Sequence, residues 1–273
     1  MNAIFVKITK FNFLYLIREP VSRMLSIITI SFSDIEGLTK TIKSVQNQDG
    51  YAAIGREFEH IVVASGLNKL DLDFVYSMFG DTGVHFVFNQ DSGLYNAMNL
   101  GALSAIGTHV LYLNGGDEFF DKTSLKTIIG NLFKDEISLF RVSQYFEKSC
   151  FVRPGINSNG KRRLYSHQGF VAPLNKLTPK YNEMYQINAD SYWMRECMGL
   201  FVSREYSEVI AKFELGGISN RPCLRTILMR LYTEGKVSAA IEATKFIIYK
   251  TMGARAYYKL ASMRAGYDHG PTK

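Results

Sequence analysis

Residues Asn89 to Asp117 read NQDSGLYNAMNLGALSAIGTHVLYLNGGD: a polar loop, a helix with small residues on one face, a short apolar strand and an acidic turn. Asp91-Ser92-Gly93 offers a helix cap and a flexible backbone. Leu94, Ala97, Met98, Gly101 and Ala105 recur at helical spacing and predict one buried stripe. Asn96 and Asn99 then fall near the helix N-terminus, where backbone N–H groups and the dipole favour an anion. Val110 to Leu113 reads as a buried strand that Asn114-Gly115-Gly116-Asp117 breaks. A carboxylate just past the C-terminal end of a core strand is where open α/β sheets take their ligands. An ordinary connection with a surface aspartate fits the same residues.

Upstream, Leu25 to Ile30 predicts a strand, and Ser33-Asp34 caps a helix to about Gln48 with Leu38, Ile42 and Val45 as its apolar side. Glu59 to Ala64 and Val84 to Phe88 predict further strands, with a helix over Leu72 to Phe79 between them. Downstream, Leu125 to Phe133 reads as helix, Ile137 to Phe146 as strand, and Asn157 to Gly160 as a turn before Lys161-Arg162-Arg163. Alternating strands and helices predict an α/β fold with a mostly parallel sheet and helices on both faces. No GxGxxG, Walker loop, GxSxG elbow or HExxH occurs, which argues against a dinucleotide site and those hydrolytic classes.

The 273 residues, 47% hydrophobic and 21% charged, fit one globular domain with an appendage. No apolar run approaches the roughly 20 residues of a membrane-spanning helix. Cys150, Cys197 and Cys223 match no metal spacing and suit a reducing cytoplasm. The net charge of +7 is concentrated from Arg221 onward, where ten Lys/Arg face three acids. A basic tail on a neutral body predicts an anionic partner. Its basic residues alternate with apolar stripes, as in Leu224, Ile227, Leu228 and Leu231, which favours a membrane surface over nucleic acid. Residues 1–23 are expected to lie outside the fold, with Met24 as the natural start; a short basic surface helix is the other reading.

Together these residues resemble the family 2 glycosyltransferases of bacterial surface-polysaccharide clusters, the colanic-acid and O-antigen type, across residues 24 to 220. SIITISFSDIEGLTKTIKSVQNQ is similar to the family's opening nucleotide-binding unit. DSGLYNAMNLGALSAIGTHVLYLNGGDEF resembles D-x-G-(I/L)-Y-D-A-M-N-x-G followed by L-N-S-G-D. SHQGF, with YNEMYQINADSYWMREC after it, resembles the acceptor-side pair, and FELGGIS the closing F-x-x-G-G-(I/V)-S. Four departures stand out. Ser31-Phe32-Ser33 replaces a Tyr-Asn pair, Ala64-Ser65-Gly66 lacks the usual aspartate, Gly115-Gly116-Asp117 keeps one acid of the D-x-D motif, and Asn96 stands where the family often has Asp.

The resemblance implies the GT-A fold: a Rossmann-like, mostly parallel mixed sheet flanked by helices. It divides 24–220 into a nucleotide-sugar half (24–120) and an acceptor half (121–220), with a helical tail over 221–273. The implied reaction is inverting transfer from a nucleoside-diphosphate sugar, UDP ahead of GDP, to a polyprenyl-diphosphate-linked saccharide in O-antigen or exopolysaccharide synthesis. It would take place at the inner face of the cytoplasmic membrane; a relative that binds nucleotide or carrier lipid without transfer is the alternative. Asp117 is the expected ligand of Mn²⁺ or Mg²⁺, or else a turn aspartate. Phe32, Asp91, Asn96, Asn99 and Gly116 are the expected donor contacts, with Phe32 against the nucleobase. Asp190 is the expected general base, its pKa raised by desolvation, or else a helix cap. His167, Gln168 and Arg163 are candidates for the acceptor or diphosphate; a structural histidine and a solvated basic loop are their plainer readings.

Overall fold

The computed structural model describes residues 24–49, 51, 57–89, 93–147, 149–154, 165–185, 188–215, 222–265 and 268–269. Asp91, Arg163, the 157–160 turn, residues 1–23 and residues 216–219 of the closing FELGGIS motif lie outside these residues.

β1 (Leu25–Phe32) is buried along seven of its eight residues, because parallel neighbours and helices cover it on every side. β2 (Phe58–Ser65) pairs with one edge and β4 (His109–Tyr112) with the other, both parallel; β3 (Val84–Asn89) follows β2 at the sheet's end. α1 (Ile35–Gln46) starts at Asp34, whose carboxylate accepts from Gly37 N–H, and buries Leu38, Ile42 and Val45 as its spacing predicts. α2 (Lys69–Phe79) packs beside it, and α3 (Leu94–Ser104) covers the opposite face.

The α3 stripe differs from the sequence reading. Tyr95, Ala97, Met98, Asn99 and Gly101 are buried, whereas Leu94 is exposed and Ala105 is already the extended C-cap. Tyr95 takes the inward place because its hydroxyl accepts Ala189 N–H, a bond no Leu can make. Gly101 is required by close approach: a Cβ there would lie 2.5 Å from Ile28 Cγ2.

Beyond β4 the sheet becomes mixed. β8 (Phe170–Pro173) runs antiparallel between β4 and β6 (Glu136–Phe146), joining the two halves into one sheet. β6 also pairs antiparallel with β7 (Ser149–Arg153) and parallel with β9 (Val202–Glu214). β5 (Glu118–Phe119) pairs with β9, and β10 (Asp268–His269) with β7. α4 (Ser124–Gly130) and α5 (Ala189–Leu200) lie on opposite faces of the sheet. The tail forms α6 (Leu224–Thr233) and α7 (Lys236–Ala265), the latter broken at Gly253. All three cysteines are free thiols. No helix among the described residues is long and apolar enough to cross a membrane.

From β1 the chain goes to β2 on one side, while β4 lies on the other. Strand order therefore reverses at β1/β4, and the crevice beyond their C-terminal ends is where such sheets bind ligands.

Candidate active site

Three turns converge on that crevice. The turn after β4 is fixed from α1: Gly116 N–H donates to Gly37 O at 2.9 Å and to Thr41 Oγ1 at 3.0 Å, and Thr41 Oγ1 donates to Asp117 O at 2.6 Å. Gly116 has φ +95°, the left-handed region that glycine enters without strain, so the chain can reverse there and turn Asp117 inward. Thr41 is fully buried and was missed as a site residue. Its signal was a hydroxyl on the apolar face of α1, at the spacing of Leu38, Ile42 and Val45.

Asp117 is only 8% exposed. Its Oδ2 accepts Asn114 N–H at 3.1 Å and Gln168 Nε2 at 3.0 Å. Burial pushes the carboxyl up to about 6, against the opposing pull of His167, Gln168, the Asn114 amide and Lys40. The local compensation is thus too small for a buried negative charge, and a cation would supply the rest.

His167 opens a 3₁₀ turn (His167–Gly169) that feeds β8. Its Nδ1 lies 3.3 Å from Asp190 Oδ2, and its Nε2 3.2 Å from Asn114 Nδ2. Burial alone would lower the imidazole pKa, but the hydrogen bond and charge of Asp190, with the charge of Asp117, outweigh it and raise it. Asp190 sits in the first turn of α5, where Oδ1 accepts Ser191 N–H; the N-cap is Asn188, in the left-handed region. Burial would raise Asp190, yet its bond to His167 prevails and holds the carboxyl below its ordinary value. This corrects the expected upward shift: the desolvation is present, but the charge partner across the crevice was not readable from the helix alone. The N-cap position is Asn188, whose side chain makes no capping hydrogen bond.

The donor-side residues separate. Phe32, 60% exposed at the end of β1, lies against Gly66, while Ser33 Oγ donates to Gly66 O at 2.7 Å and steadies that corner. Asn99 is only 8% exposed. Its amide donates to Tyr181 O and Glu183 Oε1 and accepts Tyr181 N–H, pinning residues 181–183 to α3. Asn96 also reaches Glu183, at 3.2 Å. Both asparagines therefore bond to the segment 181–183. A cavity of about 920 Å³ lies apart, between α4 and β9. It is lined by Glu118, Asp121, Glu147, Glu208 and Glu214 against Lys40 and Lys212, and this acidic lining repels a diphosphate.

Among the described residues no group of three or more His, Cys, Asp or Glu could hold a metal by itself. Asp117 fits one kind of metal: a hard divalent cation that brings its remaining oxygen ligands from a diphosphate and water. The support is the under-compensated carboxylate, both of whose side-chain hydrogen bonds fall on Oδ2.

No protein-family model matches the chain. An uncharacterized glycosyltransferase of Mycobacterium tuberculosis is 37% identical over 97 residues, 34% of this chain and 34% of the relative. The chain thus aligns with about a third of that relative's length. A PGL/p-HBAD biosynthesis glycosyltransferase of Mycobacterium bovis is 26% identical over 186 residues, 64% of this chain and 73% of the relative. Among solved structures, Staphylococcus aureus TarS 1–349 in complex with UDP-GlcNAc superposes with a TM-score of 0.56 at 14% identity, covering 84% of this chain and 73% of that one. The mannosyltransferase PcManGT of Pyrobaculum calidifontis, in complex with GDP-Man and Mn²⁺, gives 0.52 at 12% identity over 88% and 79%. The fold is GT-A, as the motifs implied.

Proposed function

We propose that this chain is an inverting glycosyltransferase that moves a sugar from a nucleoside-diphosphate donor to an acceptor hydroxyl. The observation that carries the reading is one polar network, Asp117–Gln168 beside Asn114–His167–Asp190, at the strand-order reversal. The acceptor oxygen forms a bond to the anomeric carbon as the bond from that carbon to the diphosphate oxygen breaks. The acceptor proton passes to the Asp190 carboxylate, and the electron pair leaves with the diphosphate. A carboxylate of low pKa suffices, because the attacking hydroxyl becomes strongly acidic once its oxygen bonds to carbon. His167, positively charged when protonated, stands between the two carboxylates and offsets charge gathering on the leaving group. Asp117 would hold a divalent cation, Mn²⁺ or Mg²⁺, which would supply further charge neutralisation. Relatives named as glycosyltransferases, and GT-A structures solved with UDP-GlcNAc and GDP-Man, support a nucleotide-sugar donor; UDP is favoured by the motif resemblance.

Turnover of a panel of UDP- and GDP-sugars with a synthetic sugar-diphosphate-lipid, with and without Mn²⁺, tests this. Metal-dependent product of inverted anomeric configuration is the expected result. Nucleotide binding without product from any donor would replace the enzyme by the binding relative.

The acceptor is proposed to be a polyprenyl-diphosphate-linked saccharide of surface-polysaccharide synthesis, held at the inner face of the cytoplasmic membrane. The tail supports this. In the α6–α7 hairpin Arg230 pairs with Glu234 at 2.7 Å and Glu242 at 3.3 Å, while Leu224, Leu228, Leu231, Val237, Ile241 and Ile247 face outward. Polar groups thus staple the hairpin, and exposed apolar side chains with Arg and Lys among them are left for a lipid surface. The protein is expected to float with anionic liposomes, and Leu224→Glu with Leu228→Glu to weaken binding several-fold. Full-length protein that stays at the bottom of the gradient would end the membrane reading.

A further inference from the structure

Asp190 Oδ1 accepts the N–H of the neighbouring Ser191, and Oδ2 lies 3.3 Å from His167 Nδ1, a long contact that a small roll of α5 would open. The N-cap Asn188 makes no side-chain bond that would steady this first turn. Two residues on, the turn meets the tail: Tyr192 Oη donates to Glu234 Oε1 at 2.7 Å. Both ends of that bond are fixed. The Tyr192 ring stacks on Tyr185, with centroids 4.7 Å apart and planes 9° apart, and the Arg195 guanidinium lies 5.7 Å over it. Glu234 is the C-cap of α6, and Gly235, at φ +88°, turns the chain into α7. The second oxygen of Glu234 accepts Arg230 Nη1 at 2.7 Å and the hydroxyl of Ser238 in α7. Arg230 in turn pairs with the buried Glu242 at 3.3 Å.

We propose that Tyr192 and Glu234 form a strut through which the tail positions Asp190, so that the α6–α7 hairpin is part of the catalytic unit. The proposal rests on the reading of Asp190 as the base. At about 100° per residue, Tyr192 stands roughly 200° around α5 from Asp190. His167 therefore holds the first turn from one side and Glu234 from the opposite side, with Trp193 and Met194 buried in the core. Without the second hold the turn is free to roll over its core contacts, and the carboxyl moves with it. Partly exposed pairs such as Arg230–Glu234 add little to stability, so the role of this network is geometric. A short hydrogen bond to a carboxylate is strong and directional, as a positioning contact must be. The proton acceptor has to lie within hydrogen-bond reach of the attacking hydroxyl, and a displacement of about 1 Å there can cost up to ~10²-fold in rate.

Steady-state kinetics and amide hydrogen exchange of the full chain test this. Tyr192→Phe and Glu234→Ala are each expected to lower kcat about tenfold with the donor KM nearly unchanged, because the base shifts while the surroundings of Asp117 do not. Acting through one bond, the two substitutions together should cost no more than either alone. Amides in the first turn of α5 should exchange several-fold faster, and those of β1 at their wild-type rate. Tyr232→Phe, at an exposed position of the same tail, should alter neither readout. An unchanged kcat in both variants, additive losses, or a loss accompanied by faster exchange in β1 would overturn the strut, leaving a bond that only docks the tail. A wild type that turns over no donor would defeat the transfer reading instead. The exchange of α5 would then decide the strut by itself: faster in the variants upholds it, unchanged overturns it.

Discussion

Asp117→Asn is expected to abolish transfer while making the protein more stable at neutral pH. The carboxyl ionises near 3.8 in an unfolded chain but only at about 6 in the fold. Between those values the unfolded chain loses its proton first, so each rise in pH favours unfolding. The stability is complete below pH 3.8 and lost as pH climbs to 6, a difference of roughly 3 kcal/mol at the plateau. An Asn side chain keeps an oxygen for Gln168 and the Asn114 amide but carries no charge. Melting curves from pH 4 to 7.5 should show a variant advantage near zero at the acid end, growing to several degrees above pH 6. Turnover should fall by about 10²–10³ or more, as when a principal electrostatic contact to a developing charge is removed. Wild-type turnover should likewise decline as pH drops through 6. A variant less stable than wild type at pH 7 would contradict the account of Asp117 as an under-compensated buried charge.

Asp190→Asn should act on the chemical step alone. Removing the base is expected to lower kcat by about 10²–10⁴, with the donor KM changed only a few-fold, because Asp190 lies across the crevice from Asp117. The second readout is His167. With Asp190 neutral, burial is opposed chiefly by the charge of Asp117, so the imidazole pKa should fall from its raised value. Histidine NMR titration measures this directly. An unmoved His167 resonance alongside lost activity would mean that the 3.3 Å contact does not set the imidazole's charge.

What the sequence made legible follows from the range of each interaction. β1, β2 and β4 are runs of branched and aromatic residues buried on both faces, and α1 is set by a capping Asp34 and one apolar spacing; each is a local signal. The network was half legible. Asp117, Asp190, His167 and Gln168 stood out by type and motif, but the contacts joining them cross up to 51 residues of chain, as from Gln168 to Asp117. Asn99 shows the limit of a local reading: an amide near a helix N-terminus reads as an anion contact, while the groups it bonds lie 82 and 84 residues on. In α6 the stripe of Leu224, Leu228 and Leu231 was visible, yet periodicity fixes only that a helix has an apolar side. It does not say that the side looks outward.

β8 carries a consequence for how this sheet can be recombined. Although it comes from residues 170–173, it completes the sheet beside β4, and the turn leading into it holds both His167 and Gln168. A chimera joined at residue 120 would thus exchange the immediate neighbours of Asp117 along with the acceptor side. Grafting a new acceptor specificity by recombination means keeping residues 166–173 with the recipient, as an island inside the donated segment. Surface loops are the parts free to drift, whereas α5 is tied by Asp190 to His167 and by Trp193 and Met194 to the core, and β8 couples both sides of the sheet to the surroundings of Asp117.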